Sequence, residues 1–323
     1  MFPPLSRREF LSRTTSAAAA AVMLPRLVQA PGMFISLNGA VTPGIGPWPE
    51  AARLAARLGY GGIDWSVGPA KAAGLEATKA LFAELKIKPT ITNLPMPRGY
   101  PFGGDDAGFQ AALEPLAADA AFAAAIGCQK MMVVLSPASA LPKEDQRRLV
   151  VARIGAVAEV LQKSNIRLGM EFLGPLYMRT PAPPPPAPPP ATPRIPFIWT
   201  LPETVALAKD CGANVGAVLD VWHWHHAGST VADIIAAGKS RIVHVHVSDA
   251  KPMAPEDVRD NMRVLPGEGA IDLSAFFQAL KQIGYDGGVS PEPLGRFPPG
   301  TTADDAAKQA FDATAAVMKK AGL

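Results

Sequence analysis

Two cysteines in 323 residues, Cys128 and Cys211, are too few and too separate for a thiolate zinc site. Neither belongs to a C-x-x-C pair, so both are expected as small buried apolar residues rather than a disulfide or metal ligands. Histidine is also scarce, and all five copies (His223, His225, His226, His244 and His246) fall between positions 223 and 246. That distribution excludes any centre built on histidines from the first two thirds of the chain. Charge is scarce once the N-terminus is set aside. Residues 1–30 carry Arg7, Arg8, Arg13 and Arg26 against Glu9, a net +3 that equals the formal charge of the whole chain, so the remainder is neutral. No polybasic patch is left to meet a phosphate backbone, and no nucleic-acid partner is expected. No apolar run is long enough for a stable membrane span.

Residues 1–30 look like an address. Ser6-Arg7-Arg8-Glu9-Phe10-Leu11 matches the twin-arginine export signal, an alanine-rich stretch from Ala17 to Leu24 follows, and Val28-Gln29-Ala30 offers small residues for cleavage. Three expectations follow: the twin-arginine translocation machinery is a partner, the protein is periplasmic or secreted, and the folded domain spans 31–323.

That domain reads as α/β. From Met33 onward, short apolar runs alternate with longer amphipathic ones. Strands are predicted at 33–37, 60–65, 88–93, 130–135, 166–171, 214–220, 241–247 and 286–292. Helices are predicted at 48–58, 75–86, 107–126, 143–164, 201–211, 230–237, 272–283 and 302–321. Gly59, Gly127, Gly212 and Gly284 stand where helices should end. Eight strand–helix units close a (β/α)8 TIM barrel, and the roughly 290 residues beyond position 30 are an ordinary length for one. An open doubly wound sheet is the rival fold, weakened by the lack of G-x-G-x-x-G after the first strand. Ten prolines between Pro181 and Pro196 favour extended polyproline II, which makes 181–196 a loop insertion after the fifth strand rather than a domain boundary.

The chemistry is expected at the strand ends. The runs 166–171, 214–220, 242–247 and 287–292 each finish in a residue able to bind a cation, or carry one near their end: Glu171, Asp220, His246 and Glu292. A TIM barrel gathers such residues at the C-terminal ends of its strands. Three carboxylates and one imidazole suit Mn2+ best, with Mg2+ or Co2+ as alternatives, and leave positions open for a diol or hydroxy-ketone. Asp220-Val-Trp-His223 places His223 three residues beyond a ligand, where it can donate to a substrate hydroxyl. His244 shares a strand face with His246 and is expected one layer beneath it; the two could instead form a zinc pair. Asn38, Trp65, Asn93, Arg98 and Tyr100 lie near the upper ends of the first three strands and are possible pocket residues. For Trp65, packing against the rim is an equal alternative.

The G-M-E strand at 169–171, L-D-V-W-H at 219–223, H-V-H-V-S-D at 244–249, P-G-E-G at 266–269 and S-P-E-P-L at 290–294 together resemble the xylose-isomerase-like barrel superfamily. The resemblance points to its ketose 3-epimerase, hydroxypyruvate isomerase and inosose dehydratase branch. It implies that Glu171, Asp220, His246 and Glu292 bind the metal and that His223 and Arg263 contact substrate. It also implies that Glu171 and Glu292 form an acid–base pair working through an enediolate, giving epimerisation, isomerisation or dehydration of a sugar, keto-sugar or polyol. Two features depart from the family pattern: Asp64 stands at the end of the second strand where many relatives carry glutamate, and no asparagine closely follows Glu171. The lack of a lysine- or glycine-rich phosphate cradle favours an unphosphorylated substrate. Two rival readings are an exported sugar-binding protein without catalysis and a nuclease on the same barrel. The missing early histidines and neutral surface oppose the nuclease.

Overall fold

The structure is a computed structural model that describes residues 32–97, 99–179 and 194–323. The export signal, Arg98 and residues 181–193 of the proline-rich insertion therefore lie outside the described residues. Within them, eight parallel strands close into a barrel: β1 Phe34–Asn38, β2 Gly62–Trp65, β3 Lys88–Asn93, β4 Lys130–Leu135, β5 Arg167–Phe172, β6 Val215–Asp220, β7 Ile242–Val247 and β8 Gly288–Pro291. Closure is made by β1 pairing with both β2 and β8. Every strand overlaps a predicted run. The apolar runs are continuous rather than alternating because both faces of these strands are covered: β5 through β7 are almost wholly buried.

Helices follow the strands and pack an apolar layer against the outside of the barrel, from Trp48 and Ala52 to Val317 and Met318. Their starts are written locally. Thr200, Thr230 and Thr302 each accept a backbone N–H from the first turn of the helix they precede. Three departures from the predicted helices have physical causes. The stretch predicted as one helix over 107–126 is two, Asp106–Leu113 and Leu116–Ala125, because Pro115 cannot continue the first. A helix at Val67–Ala73 precedes the predicted one and is separated from it by Gly74 at φ +93°. A six-residue helix, Val221–His226, directly follows β6, started by Asp220 Oδ1 accepting from the Trp222 N–H at 2.8 Å. Both cysteines are buried and free. Among the described residues, no helix is long and apolar enough to cross a membrane.

Two short segments frame the upper face. Ile195–Pro196, at the end of the proline-rich insertion, pairs antiparallel with Ala138–Ser139 after β4. After β5, Gly174 packs directly against the backbone of the Val221–His226 helix. A Cβ there would overlap the His223 carbonyl oxygen and approach the Ala227 nitrogen to 2.7 Å. Gly174→Ala should therefore force that helix outward and lower stability by roughly 1–3 kcal/mol. Denaturant titration of the purified variant measures it, and an unchanged midpoint would mean that this contact is not close.

Candidate metal centre

Glu171 on β5, Asp220 at the end of β6, His246 on β7 and Glu292 just past β8 converge at the C-terminal mouth of the barrel. Each offers a ligand atom within 4.8 Å of the others. Register explains the convergence: Asp220 pairs with His246 across β6 and β7, and Ser290 with His246 across β7 and β8. His246 Nδ1 stands 2.7 Å from Glu171 Oε1 and 3.4 Å from Glu292 Oε2. Asn38 Nδ2 donates to Glu292 Oε1 at 3.2 Å.

Arg263 enters this group from the loop after β7. Its Nη1 donates to Asp220 Oδ2 at 2.6 Å and to Glu292 Oε2 at 3.0 Å, while Nε donates to Asp260 Oδ1 at 2.8 Å. The guanidinium lies over the Trp222 ring, 4.6 Å from its centroid. Asp249 holds that loop in place. This buried carboxylate accepts the backbone N–H groups of Ala250, Gly267 and Ile271 at 2.8–3.0 Å, and its own backbone pairs with Val264. Asp260 escaped the sequence reading, and Asp249 entered it only as the last residue of the H-V-H-V-S-D motif, with no role of its own. The only sequence signal for Asp249 is its place two residues past the last strand residue, in H-V-S-D.

The electrostatics are those of a crowded anionic site. Burial raises the Glu171 carboxyl to about 7, an effect only partly offset by His246. Burial would raise Glu292 as well, but the charges of His246 and Arg263 reverse this and hold it well below the usual carboxylate range. His246 is opposed by burial, yet Glu292 and Glu171 together hold its proton well above the ordinary imidazole value. Burial pushes His223 down to about 3, so it is neutral. Arg263 Nη2 lies 3.2 Å from His223 Nε2, and a guanidinium can only donate, so the His223 proton sits on Nδ1.

The donor set fits a divalent cation. Three carboxylates against the single guanidinium of Arg263 leave two negative charges when the imidazoles are neutral, and one nitrogen among oxygen donors suits a hard or borderline ion. The expected ligand set is thus brought together. Trp65 and Asn93 line a cavity of about 430 Å³ with Asn38, Asp64, Glu171, His246 and Glu292. Trp65 also packs on Trp48 and Phe122, each at 6.3 Å, so pocket and rim roles coincide. His223 and Arg263 are placed otherwise: they are buried against Asp220 rather than among the side chains lining that cavity. Tyr100 packs on Phe109, away from the cavity. His244 lies one layer below His246, with Nε2 2.8 Å from Ser290 Oγ.

Metal uptake must displace the proton that His246 shares with the glutamates. Below about pH 7 the raised Glu171 carboxyl is protonated in the ion-free protein, so protons compete with the cation there and stop competing as the pH rises. Calorimetric Mn2+ titrations in buffers of different ionisation enthalpy should show proton release near neutrality and an affinity that falls steadily from pH 8 to pH 6. Flat affinity with no proton release would contradict this arrangement.

A sequence profile for the xylose isomerase-like TIM barrel matches residues 52–318. An inosose isomerase of Halalkalibacterium halodurans is 37% identical over 107 residues, a match covering 33% of this chain and 38% of that protein. The chain thus aligns with well under two thirds of that relative's length. A D-psicose 3-epimerase of Enterocloster bolteae is 26% identical over 96 residues, covering 29% of this chain and 28% of that protein. Among solved structures, a xylose isomerase domain protein from Alicyclobacillus acidocaldarius superposes with a TM-score of 0.78 at 26% identity, covering 90% of this chain and 100% of that one. With its closed barrel and a profile match over most of its length, this chain belongs to the xylose isomerase-like TIM barrel family.

Proposed function

We propose that the protein is a divalent-metal-dependent isomerase or epimerase of an unphosphorylated ketose, keto-sugar or inosose, with Mn2+ as the preferred ion. The observation that carries this reading is the pair of buried glutamates, Glu171 and Glu292, meeting at one imidazole in the wall of an open cavity. The local likeness to inosose isomerases and a D-psicose 3-epimerase supports the substrate class.

In this reading Glu171, Asp220, His246 and Glu292 hold the ion. When bound, it polarises a ketone and its neighbouring hydroxyl and so acidifies the C–H between them. The remaining work belongs to the chain. Glu171, whose ion-free carboxyl sits near neutrality, is poised to exchange a proton with carbon on one face of the substrate. Glu292, oriented by Asn38 and Arg263, serves the other face. Removal on one face and return on the opposite face epimerises the carbon. Return to the neighbouring carbon isomerises the sugar through the same enediolate.

Trp65 and Asn93 supply an apolar wall and a hydrogen-bonding edge for the substrate, while His223 and Arg263 act mainly by fixing Asp220. The twin-arginine-like segment extends the reading to export of the folded, metal-loaded protein. Replacing Arg7 and Arg8 together by lysine should then trap the chain in the cytoplasm of an expressing bacterium, and unchanged export would remove that part.

The catalytic reading is tested by incubating Mn2+-loaded protein with a panel of ketoses and inososes in D2O. Deuterium should appear at a carbon next to the ketone of at least one of them. Glu171→Gln and Glu292→Gln should each slow its entry by at least ~100-fold. A protein that binds one of these sugars yet never exchanges a proton is a binding protein, and the enzymatic reading falls.

A further inference from the structure

The barrel interior directly beneath the four-ligand centre is polar. Ser36, Thr90, His244 and Ser290 are buried there, and Asp64 reaches in from β2. TIM-barrel interiors are mostly filled by branched apolar side chains, and buried polar groups cost free energy unless they are partnered. Most of these are partnered. Ser36 Oγ lies 2.9 Å from Asp64 Oδ1 and 2.7 Å from Thr90 Oγ1, and the Ser290 hydroxyl meets His244.

Asp64 Oδ2 is different. It is buried and accepts no hydrogen bond among the described residues. His244 Nε2 stands 3.7 Å away, too far to donate well. The Asp64 side chain borders the cavity shared by Glu171, His246 and Glu292, and ligand-type atoms of Asp64, His244 and His246 lie within 4.8 Å of one another.

His246 supplies the other half of the argument. Its Nδ1 is committed to Glu171 and Glu292, which leaves Nε2 without a direct hydrogen bond among the described residues. A metal-binding imidazole ordinarily donates its second ring N–H to a carboxylate, a carbonyl or a water, which fixes the tautomer and makes the ligating nitrogen more basic. Asp64 is a carboxylate outside the four-ligand set, on a strand that does not pair with β7, with an oxygen that lacks a donor. One ring nitrogen of His246 lies within 4.8 Å of an Asp64 carboxylate oxygen, close enough for the carboxylate charge to act on the imidazole.

We infer that Asp64 is a positioning residue for His246, its unpartnered carboxylate oxygen favouring the Nε2–H tautomer so that Nδ1 faces the ion. This rests on the metal-site reading above. Ser36 fixes one Asp64 oxygen and leaves the other for this task.

The test is Mn2+ titration of wild type, Asp64→Asn and Asp64→Ala, with thermal melts of the metal-free proteins alongside. Wild type should bind one ion per chain. Asp64→Asn, which keeps the shape and loses the charge, should bind it about 10-fold more weakly. Asp64→Ala should approach a 100-fold loss. Stoichiometry should stay at one, and the metal-free melting temperature of Asp64→Asn should hold or rise. In 15N spectra of Zn2+-loaded protein, the His246 Nε2–H should be present in wild type and exchange faster with solvent in both variants.

Unchanged Mn2+ affinity in both variants, with only the melts altered, would reduce Asp64 to a structural part of the polar layer and overturn the inference. A second bound ion that disappears with Asp64→Asn would overturn it too, by showing a cation site at Asp64 and His244. If wild type takes up no Mn2+ at all, the metal reading itself fails and this inference with it. A wild type that binds one ion, beside variants that bind it equally well, sinks the Asp64 inference alone.

Discussion

Three carboxylates buried within a few ångströms of one another are the constraint around which the rest of this barrel is arranged. Removing an ion from water costs several kcal/mol even after relaxation, and like charges at this separation add to that cost. Glu171, Asp220 and Glu292 are tolerable together only because Arg263 and a protonated His246 stand among them. The protein spends structure to keep them there. A buried aspartate, Asp249, organises the loop that delivers Arg263, and Trp222 stacks beneath the guanidinium. A fold selected for stability alone would fill this volume with apolar side chains. The arrangement is intelligible when a divalent cation is the intended occupant and the His246 proton holds its place.

The closed sheet makes such crowding possible. Parallel strands end on one face, and pairing between neighbours sets the heights of their last residues. Asp220 opposite His246 is a matter of register, whereas Arg263 is a matter of loop architecture. The short helix after β6 has two tasks. Its Trp222 N–H donates to Asp220 Oδ1, leaving Oδ2 toward the centre, and it carries His223 back against Arg263. Gly174 lets the chain leaving β5 pass close to that helix.

How much of this the sequence discloses depends on how local the signal is. Strand ends were legible because a continuous apolar run stopping at Glu171 or Asp220 is a local pattern, and four such stops in order imply a shared mouth. The break at Pro115 was equally local and could have been read from proline chemistry. The helix Val221–His226 was not legible, since Val-Trp-His-Trp-His-His carries no clear helical period and its cap is also a ligand. Arg263 was reached only through family resemblance, because its position depends on a backbone bridge between Asp249 and Val264 that no spacing rule encodes. Its burial against Asp220, rather than in the open cavity, was beyond either route. Asp64 was noticed as a departure, but its setting depends on residues from β1, β3 and β7 meeting inside the barrel.

The central claim is that one cation binds among Glu171, Asp220, His246 and Glu292. Anomalous scattering from crystals grown with Mn2+ measures this directly. The account predicts a single strong peak within bonding distance of all four side chains, with His246 presenting Nδ1 to it. A peak elsewhere, or none while Arg263 and a protonated His246 keep the carboxylates to themselves, would contradict it.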